Sequence, residues 1–472
     1  MTSVTDEAKQ VDDLQSIGMG IDAHADLFAD ADSIYRRVRP HVTSFYSGLC
    51  SQGVISGLVG RGLLVKTEIS NDSTSDELVL IQPRHPFVSF PHEWTFEMLR
   101  DASLVWIDLC LELYPKGLFL QDGHPWNIVF FGSTPRFVDV TSIVPLVPEL
   151  QQSSLDEWRR YCLASLLLMK EGQMQAARAI LAAIFEGVEN AVEVARPSRL
   201  TPRSFVLKAL KRCKRLIAPP KPNREVDPIQ ELKSLRSLVE SLESPQQIGV
   251  WTDYYHGKNA LPVFQGSPGD IPSIMASTEK HKYIRTFLAD KPANSATLLD
   301  IGCNRGLYSR YAASVGWTSC AIDMDEGALA HLYKDIRETS EDVTVVLNNL
   351  VAPREGYGYW HKPLPTLAKR SRADAVLCLA IVHHWVFGRM RLRFQDVAFV
   401  LASLSNTSLV VEFVSPTDEH VSKWMKPEFD WYTLDGFKEA LAAYFTIDEV
   451  VDSFPAGRYL IRCTRRDDSS TD

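Results

Sequence analysis

The sequence predicts an α/β protein, with a Rossmann-like parallel sheet in its C-terminal half and an α+β domain before it. Three observations predict this. In Leu298-Leu-Asp-Ile-Gly-Cys-Asn-Arg-Gly306 a short apolar run meets two glycines, and helical spacing follows at Tyr308, Tyr311, Ala312 and Val315. That is strand, tight turn, helix: the glycines let the backbone turn sharply and let a nucleotide lie against it. A second apolar run, Ser319 to Asp325, carries the acid Asp323. It lies about twenty residues after the glycines, where a carboxylate can take both hydroxyls of a ribose. Further runs at Val343–Leu347 and Ala373–Ala380 continue the alternation of strand and helix.

Composition bounds the rest. At 472 residues the chain accommodates two or three domains. Its net charge of -9 argues against non-specific nucleic-acid binding. The eight cysteines include no Cys-x-x-Cys pair, which points to reduced thiols rather than a disulfide framework or a zinc site, and no metal is expected. The first residues are polar and acidic, unlike a signal peptide. The most apolar long segment, Ala102 to Leu120, contains Asp108, Glu112 and Lys116, too many charges for a membrane span. A cytoplasmic protein is the expectation.

Taken in order, residues 1–25 are expected to be a tail. The spacing of Ile34, Val38, Val42, Phe45 and Leu49, then Val54, Leu58, Leu63 and Leu64, predicts two helices between Asp32 and Val65. Prolines in Pro83-Arg-His-Pro-Phe-Val-Ser-Phe-Pro-His-Glu-Trp94 forbid regular helix, and the aromatics imply an ordered loop. Thr95 to Leu113 is strongly helical in pattern. The stretch Gly117 to Ser142 then holds Asp122 and Asn127, spaced Asp-x-x-x-x-Asn, and Asp139 at the end of the next strand.

Kinase-like phosphotransferases place a base and metal ligands at that spacing. Leu120 stands where a histidine would, no glycine-rich phosphate loop precedes it, and Lys66 is the only strand lysine on offer. A degenerate kinase-like substructure, a plain hairpin and an active phosphotransferase all remain open. Leu155 to Ala191 reads as helices. The basic connector from Arg196 to Arg224 has an amphipathic segment at 203–217, which suits either a solvated face or weak peripheral contact with a membrane. The resulting divisions are 1–25, 26–218, a linker and helix at 219–248, 249–466, and a tail at 467–472.

The glycine turn differs from a dinucleotide fingerprint in one chemical respect. It reads Asp-x-Gly-x-x-x-Gly, and the acid Asp300 suits a ligand carrying a positive amino group, S-adenosylmethionine, better than a bare pyrophosphate. Asp323 would take the ribose and Asn349 and Leu350 would face the adenine, with Gly302, Cys303, Asn304, Gly306, Met324 and Leu379 as further candidate cofactor contacts. The acceptor would enter beyond the ends of the first and fourth strands. His383 and His384 are candidate general bases there, and Glu412, on the fifth strand, would orient a base or bind the acceptor. Tyr254, Tyr255, Trp385 and Tyr432 are candidate lining residues; Asp418 and His420 are weaker ones. A small-molecule acceptor is the expected partner.

Together these residues resemble a class I S-adenosylmethionine-dependent methyltransferase over about residues 295 to 464. More particularly, the chain resembles a group of long bacterial methyltransferase-like proteins related to nodulation proteins. Pro91-His-Glu-Trp94, Gln121-Asp-Gly-His-Pro-Trp-Asn127, Phe137-Val-Asp139, Leu299-Asp-Ile-Gly302, Leu379-Ala-Ile-Val-His-His384 and Val411-Glu-Phe-Val-Ser-Pro416 carry it. The resemblance implies a seven-stranded sheet closed by a reversed hairpin (Glu449-Val-Val and Arg458 to Cys463), methyl transfer, and an N-terminal half of accessory role. It commonly places an acid where Asn349 stands. A non-catalytic cofactor-binding regulator or scaffold, or a phosphotransferase in the N-terminal half, are the alternatives.

Overall fold

The computed structural model describes residues 15–17, 22–74, 77–182, 227–245, 266–291, 296–353 and 365–466. Tyr254, Tyr255 and the 203–217 segment lie outside them.

The N-terminal part opens with a five-stranded antiparallel sheet ordered β1-β2-β3-β5-β4, made of β1 (Gln15–Ser16), β2 (Ala25–Ala29), β3 (Ser33–Val38), β4 (Glu68–Ile69) and β5 (Val79–Pro83). Two expectations are corrected here. The chain before residue 26 supplies β1 and the start of β2, and Ile34 and Val38 lie in a strand. Helix begins only at Thr43. A strand also buries alternate residues, so a few widely spaced apolar positions were compatible with either period. The helix Phe96–Leu113 follows, capped by Thr95, whose side chain accepts from the Met98 amide. It buries Leu99, Ala102, Trp106, Cys110 and Leu113, a stripe three and four residues apart. Pro115 and the left-handed Gly117 end it. An antiparallel pair, β6 (Leu118–Leu120) with β9 (Ile143–Pro145), and the hairpin between them, β7 (Ile128–Phe131) with β8 (Thr134–Phe137), complete the unit.

The C-terminal sheet has seven strands in the order β12-β11-β10-β13-β14-β16-β15: β10 (Thr297–Ile301), β11 (Thr318–Asp323), β12 (Val343–Leu347), β13 (Ala373–Cys378), β14 (Ser405–Val414), β15 (Phe445–Asp452) and β16 (Arg458–Arg465). β10 to β14 pair in parallel, and β16 runs antiparallel to β14. Burial on both faces explains why β10 and β13 read as continuous apolar runs. The order reverses between β10 and β13, which places a crevice at their carboxyl ends.

The two halves share one core. Trp94, Trp106, Phe130 and Trp158 of the N-terminal part belong to the same buried apolar cluster as Leu329, Leu332, Tyr333, Ile336 and Val345. Phe130 meets Tyr333 edge-on at 5.8 Å, and the Tyr333 hydroxyl donates to Asp101 at 2.9 Å. Each such buried apolar side chain contributes about 1.5–3 kcal/mol. The helix Pro228–Glu240, in the expected linker, packs on Phe96–Leu113 through an Arg236–Asp108 pair at 2.6 Å. No helix among the described residues is long and apolar enough to cross a membrane.

Candidate functional site

The turn after β10 is built as its glycines require. Gly302 has φ +69°, and a Cβ there would stand 2.2 Å from Cδ1 of Ile381. Gly306, at φ +72°, opens the helix Leu307–Ser314. The Gly302 and Cys303 amides donate to the Ile322 carbonyl, which binds the turn to β11. Asp323, at the end of β11, accepts from the amides of Asn304 and Asp325, each at 2.8 Å. Burial raises its pKa against those bonds, which favour the charged form. Thus Asp323 and the Gly302–Gly306 turn converge. Beside them the Met324 side chain is 67% exposed, an apolar flank without cover.

Asp300 is not at the mouth of the turn. It is buried, Ser309 donates to its carboxylate at 2.6 Å, and burial pushes its pKa up to about 6. Its visible task is to fasten the helix Leu307–Ser314 to β10. Asn348 and Asn349 form a turn after β12, where the Asn349 amide donates to the Asn348 side chain at 2.8 Å. Leu350 packs against the core, and Leu379 is buried at the end of β13.

On the acceptor side, Ala380 at φ +56° turns the chain into the short helix Val382–Phe387. The His383 and His384 rings lie 4.1 Å apart, and the Trp424 indole stacks over His383 at 6.0 Å. Burial presses the His383 pKa down to about 2 and the His384 pKa to about 4, helped by each other's proximity or that of His420 and Arg458. Both imidazoles are therefore neutral near pH 7. Arg458 and Asp418 form a buried pair at 2.9 Å beside them. Glu412 is fully buried, takes Lys280 at 2.7 Å and Ser453 at 2.6 Å, and so has both oxygens engaged. Trp385 is nearly covered within the core, and Tyr432 is fully buried, donating to the Val414 carbonyl at 2.9 Å. Both are packed into the core.

Sequence reasoning missed Lys280 and Trp424. Lys280 sits in the helix Glu279–Ala289, and nothing in its surroundings in the chain distinguishes it from a solvated lysine. Trp424 was visible as a tryptophan in a polar stretch, a signal that passed unused.

In the N-terminal part, Asp122, Asn127 and Asp139 do converge: the Asn127 amide is 3.5 Å from each carboxylate. Arg36 donates to Asp139 at 2.8 Å and stands 3.6 Å from Asp22, so a guanidinium already neutralises this cluster. Lys66 pairs with Glu68 at the surface. Among the described residues no group of three or more His, Cys, Asp or Glu is arranged to hold a metal ion.

No family model matches the chain. It is 26% identical over 431 residues to nodulation protein NoeA of Rhizobium meliloti (strain 1021), covering 83% of this chain and 84% of that protein. Among solved structures, magnesium protoporphyrin IX methyltransferase (ChlM) from Synechocystis PCC 6803 with bound SAM is 16% identical, over 43% of this chain and 80% of that one, with a TM-score of 0.28. The N-methyltransferase NodS from Bradyrhizobium japonicum WM9, in complex with S-adenosyl-L-homocysteine, is 13% identical over 42% of this chain and 93% of its own, with a TM-score of 0.30. The chain is thus similar along most of its length to a nodulation protein.

Proposed function

We propose that this chain is a cytoplasmic S-adenosylmethionine-dependent methyltransferase acting on a small molecule or biosynthetic intermediate. One observation carries the reading: the Asp323 carboxylate and the left-handed Gly302–Gly306 turn meet at the carboxyl ends of β10 and β11, at the reversal point of a seven-stranded sheet with one antiparallel strand. That crevice is where open α/β sheets bind nucleotides. A Cβ at Gly302 would collide with the Ile381 side chain, so this turn stays bare, and the exposed Met324 offers an apolar face to a flat base. When bound, the cofactor supplies an activated methyl group on a sulfonium.

The residues present then divide the work. Gly302, Cys303, Asn304 and Gly306 would hold the methionine end, Asp323 the ribose, and Met324, Asn349, Leu350 and Leu379 would flank the adenine. On the acceptor side the neutral imidazole of His384, or of His383 behind it, takes the proton that the acceptor sheds. The Trp424 indole lies against both rings, 6.0 Å from His383 and 5.7 Å from His384. Glu412 acts on the site only through Lys280, whose ammonium it holds.

Calorimetry of S-adenosylmethionine binding tests the cofactor. The wild type should bind, and Asp323→Ala should weaken binding at least tenfold. No binding by the wild type overturns the reading. Methyl-labelled cofactor with a fractionated extract of the source organism tests the chemistry. A labelled product lost in His384→Ala supports it; binding with no acceptor in any fraction makes the chain a regulator or scaffold instead.

A further inference from the structure

The segment 85–94 of the N-terminal part runs beside β12, the edge strand of the C-terminal sheet. His85 lies 3.6 Å from Asp342, just before β12, and Glu93 meets Asn348, just after it. A bare sheet edge is a liability, and this segment covers it. Its last residues do more.

Glu93 is fully buried, and its two oxygens gather four donors. The Phe90 amide reaches it at 2.8 Å, Asn348 Nδ2 at 2.7 Å, and Arg370 in fork geometry at 2.8 and 3.0 Å. Arg370, from the helix Leu367–Ser371 before β13, also donates to the Val88 carbonyl and lies 3.9 Å over the Phe90 ring. A buried carboxylate with this donor set is held in one place.

The hold passes to the turn after β12. Glu93 fixes the Asn348 amide, whose oxygen accepts the Asn349 backbone N–H at 2.8 Å. Asn349 in turn accepts from Val351 and Ala352. The Asn348 amide donates to the Asp323 carbonyl at 3.0 Å, so this turn abuts the ribose acid. A second strap runs in parallel: Arg178 bonds the carbonyls of His92 and Trp94 and pairs at 2.7 Å with Glu326, the first residue of the helix after Asp323.

We infer that Glu93 is a positioning residue for the nucleoside side of the cofactor site, setting the 348–352 turn through Asn348. The N-terminal part is thereby a structural wall of that site. This rests on the proposed cofactor. Glu93 itself touches no cofactor atom in this scheme; it acts by fixing the turn.

The test uses the full chain with Glu93→Gln, Asn348→Ala and the double variant. S-adenosylhomocysteine binding is measured by calorimetry, and hydrogen exchange is followed at the amides of 349–352. Each single variant should weaken binding about tenfold and speed exchange in that turn, while exchange in β14 and β16 stays unchanged. The double variant should lose less than the product of the two single losses, because all three variants disturb the same Glu93–Asn348 contact. A double variant weaker by the product of the two losses, or exchange in the turn unchanged by either substitution, overturns the inference. If Glu93→Gln does not fold, Asn348→Ala decides by the same exchange readout. If the wild type binds no cofactor, the proposed function fails, and exchange at 349–352 still decides the role of Glu93.

Discussion

Lys280 Nζ lies 2.7 Å from Glu412 Oε2, and both side chains are buried beneath the carboxyl ends of the strands. Ser453 supplies the second oxygen with a donor at 2.6 Å. Such a pair roughly balances its own desolvation, but neither partner tolerates being left alone. Lys280→Met alone should cost about 3–5 kcal/mol in denaturant unfolding. Lys280→Met with Glu412→Leu should recover most of that loss. A double variant as unstable as the single would show that the pair's worth lies elsewhere.

The histidines set the acid limit of the fold. Burial lowers the pKa of His281 and His384 to about 4 and of His383 to about 2, from an ordinary value of 6.5. The unfolded chain takes these protons first, so this stability is present above about pH 6.5 and is lost as pH falls from there. Asp300 opposes this. Its pKa is raised to about 6 from 3.8, the native state keeps the proton longer, and its contribution declines as pH rises through that window. Burial raises Asp122, Asp323 and Asp335 as well, so these carboxyls offset part of the histidine slope. Between pH 6.5 and 4, His384→Gln should remove the contribution of one proton to the acid loss of stability, about 1.4 kcal/mol per pH unit. Unfolding midpoints across that range check it.

Gly302→Ala should fail on two counts. The left-handed backbone costs a side chain about 1–2 kcal/mol, and the new methyl meets Ile381 at 2.2 Å. Cofactor affinity should drop more than tenfold. Adding Ile381→Ala should relieve the clash but not the backbone cost, so it restores stability only in part. Thermal unfolding and calorimetry separate the two.

Arg36 neutralises Asp139 and contacts the Val138 carbonyl and Thr141 within 3.2 Å. Arg36→Met should destabilise the chain by about 3–5 kcal/mol, since it strands a carboxylate beside Asp122. Magnesium with a nucleoside triphosphate should not shift the melting temperature of the wild type, because the guanidinium already occupies the charge position a cation would take. A shift abolished by Asp139→Ala would revive phosphotransfer.

Local chemistry was legible in the chain. The strand–turn–helix at Leu298–Gly306, the acid Asp323 and the runs of β12, β13 and β14 follow from period, glycine placement and strand length, all short-range properties, while the reversed closing hairpin came from the family resemblance. The helix Phe96–Leu113 likewise announced itself by its helical pattern. Short strands such as β3 did not, because a few spaced apolar residues fit two periods.

What tertiary structure alone decided is which polar groups meet. Asp300 and Asp323 look alike in sequence, yet one is spent on Ser309 and the other faces the turn. Glu93 and Asn348, or Lys280 and Glu412, stand far apart in the chain, and no local pattern links them. Burial sets their charge state and their partners, and burial is a property of the whole packed chain. Short-range pattern in the chain determined the glycine turn and the acid that meet at the ends of β10 and β11. The shared core that brings the 85–94 segment against that crevice was decided by packing between the two halves.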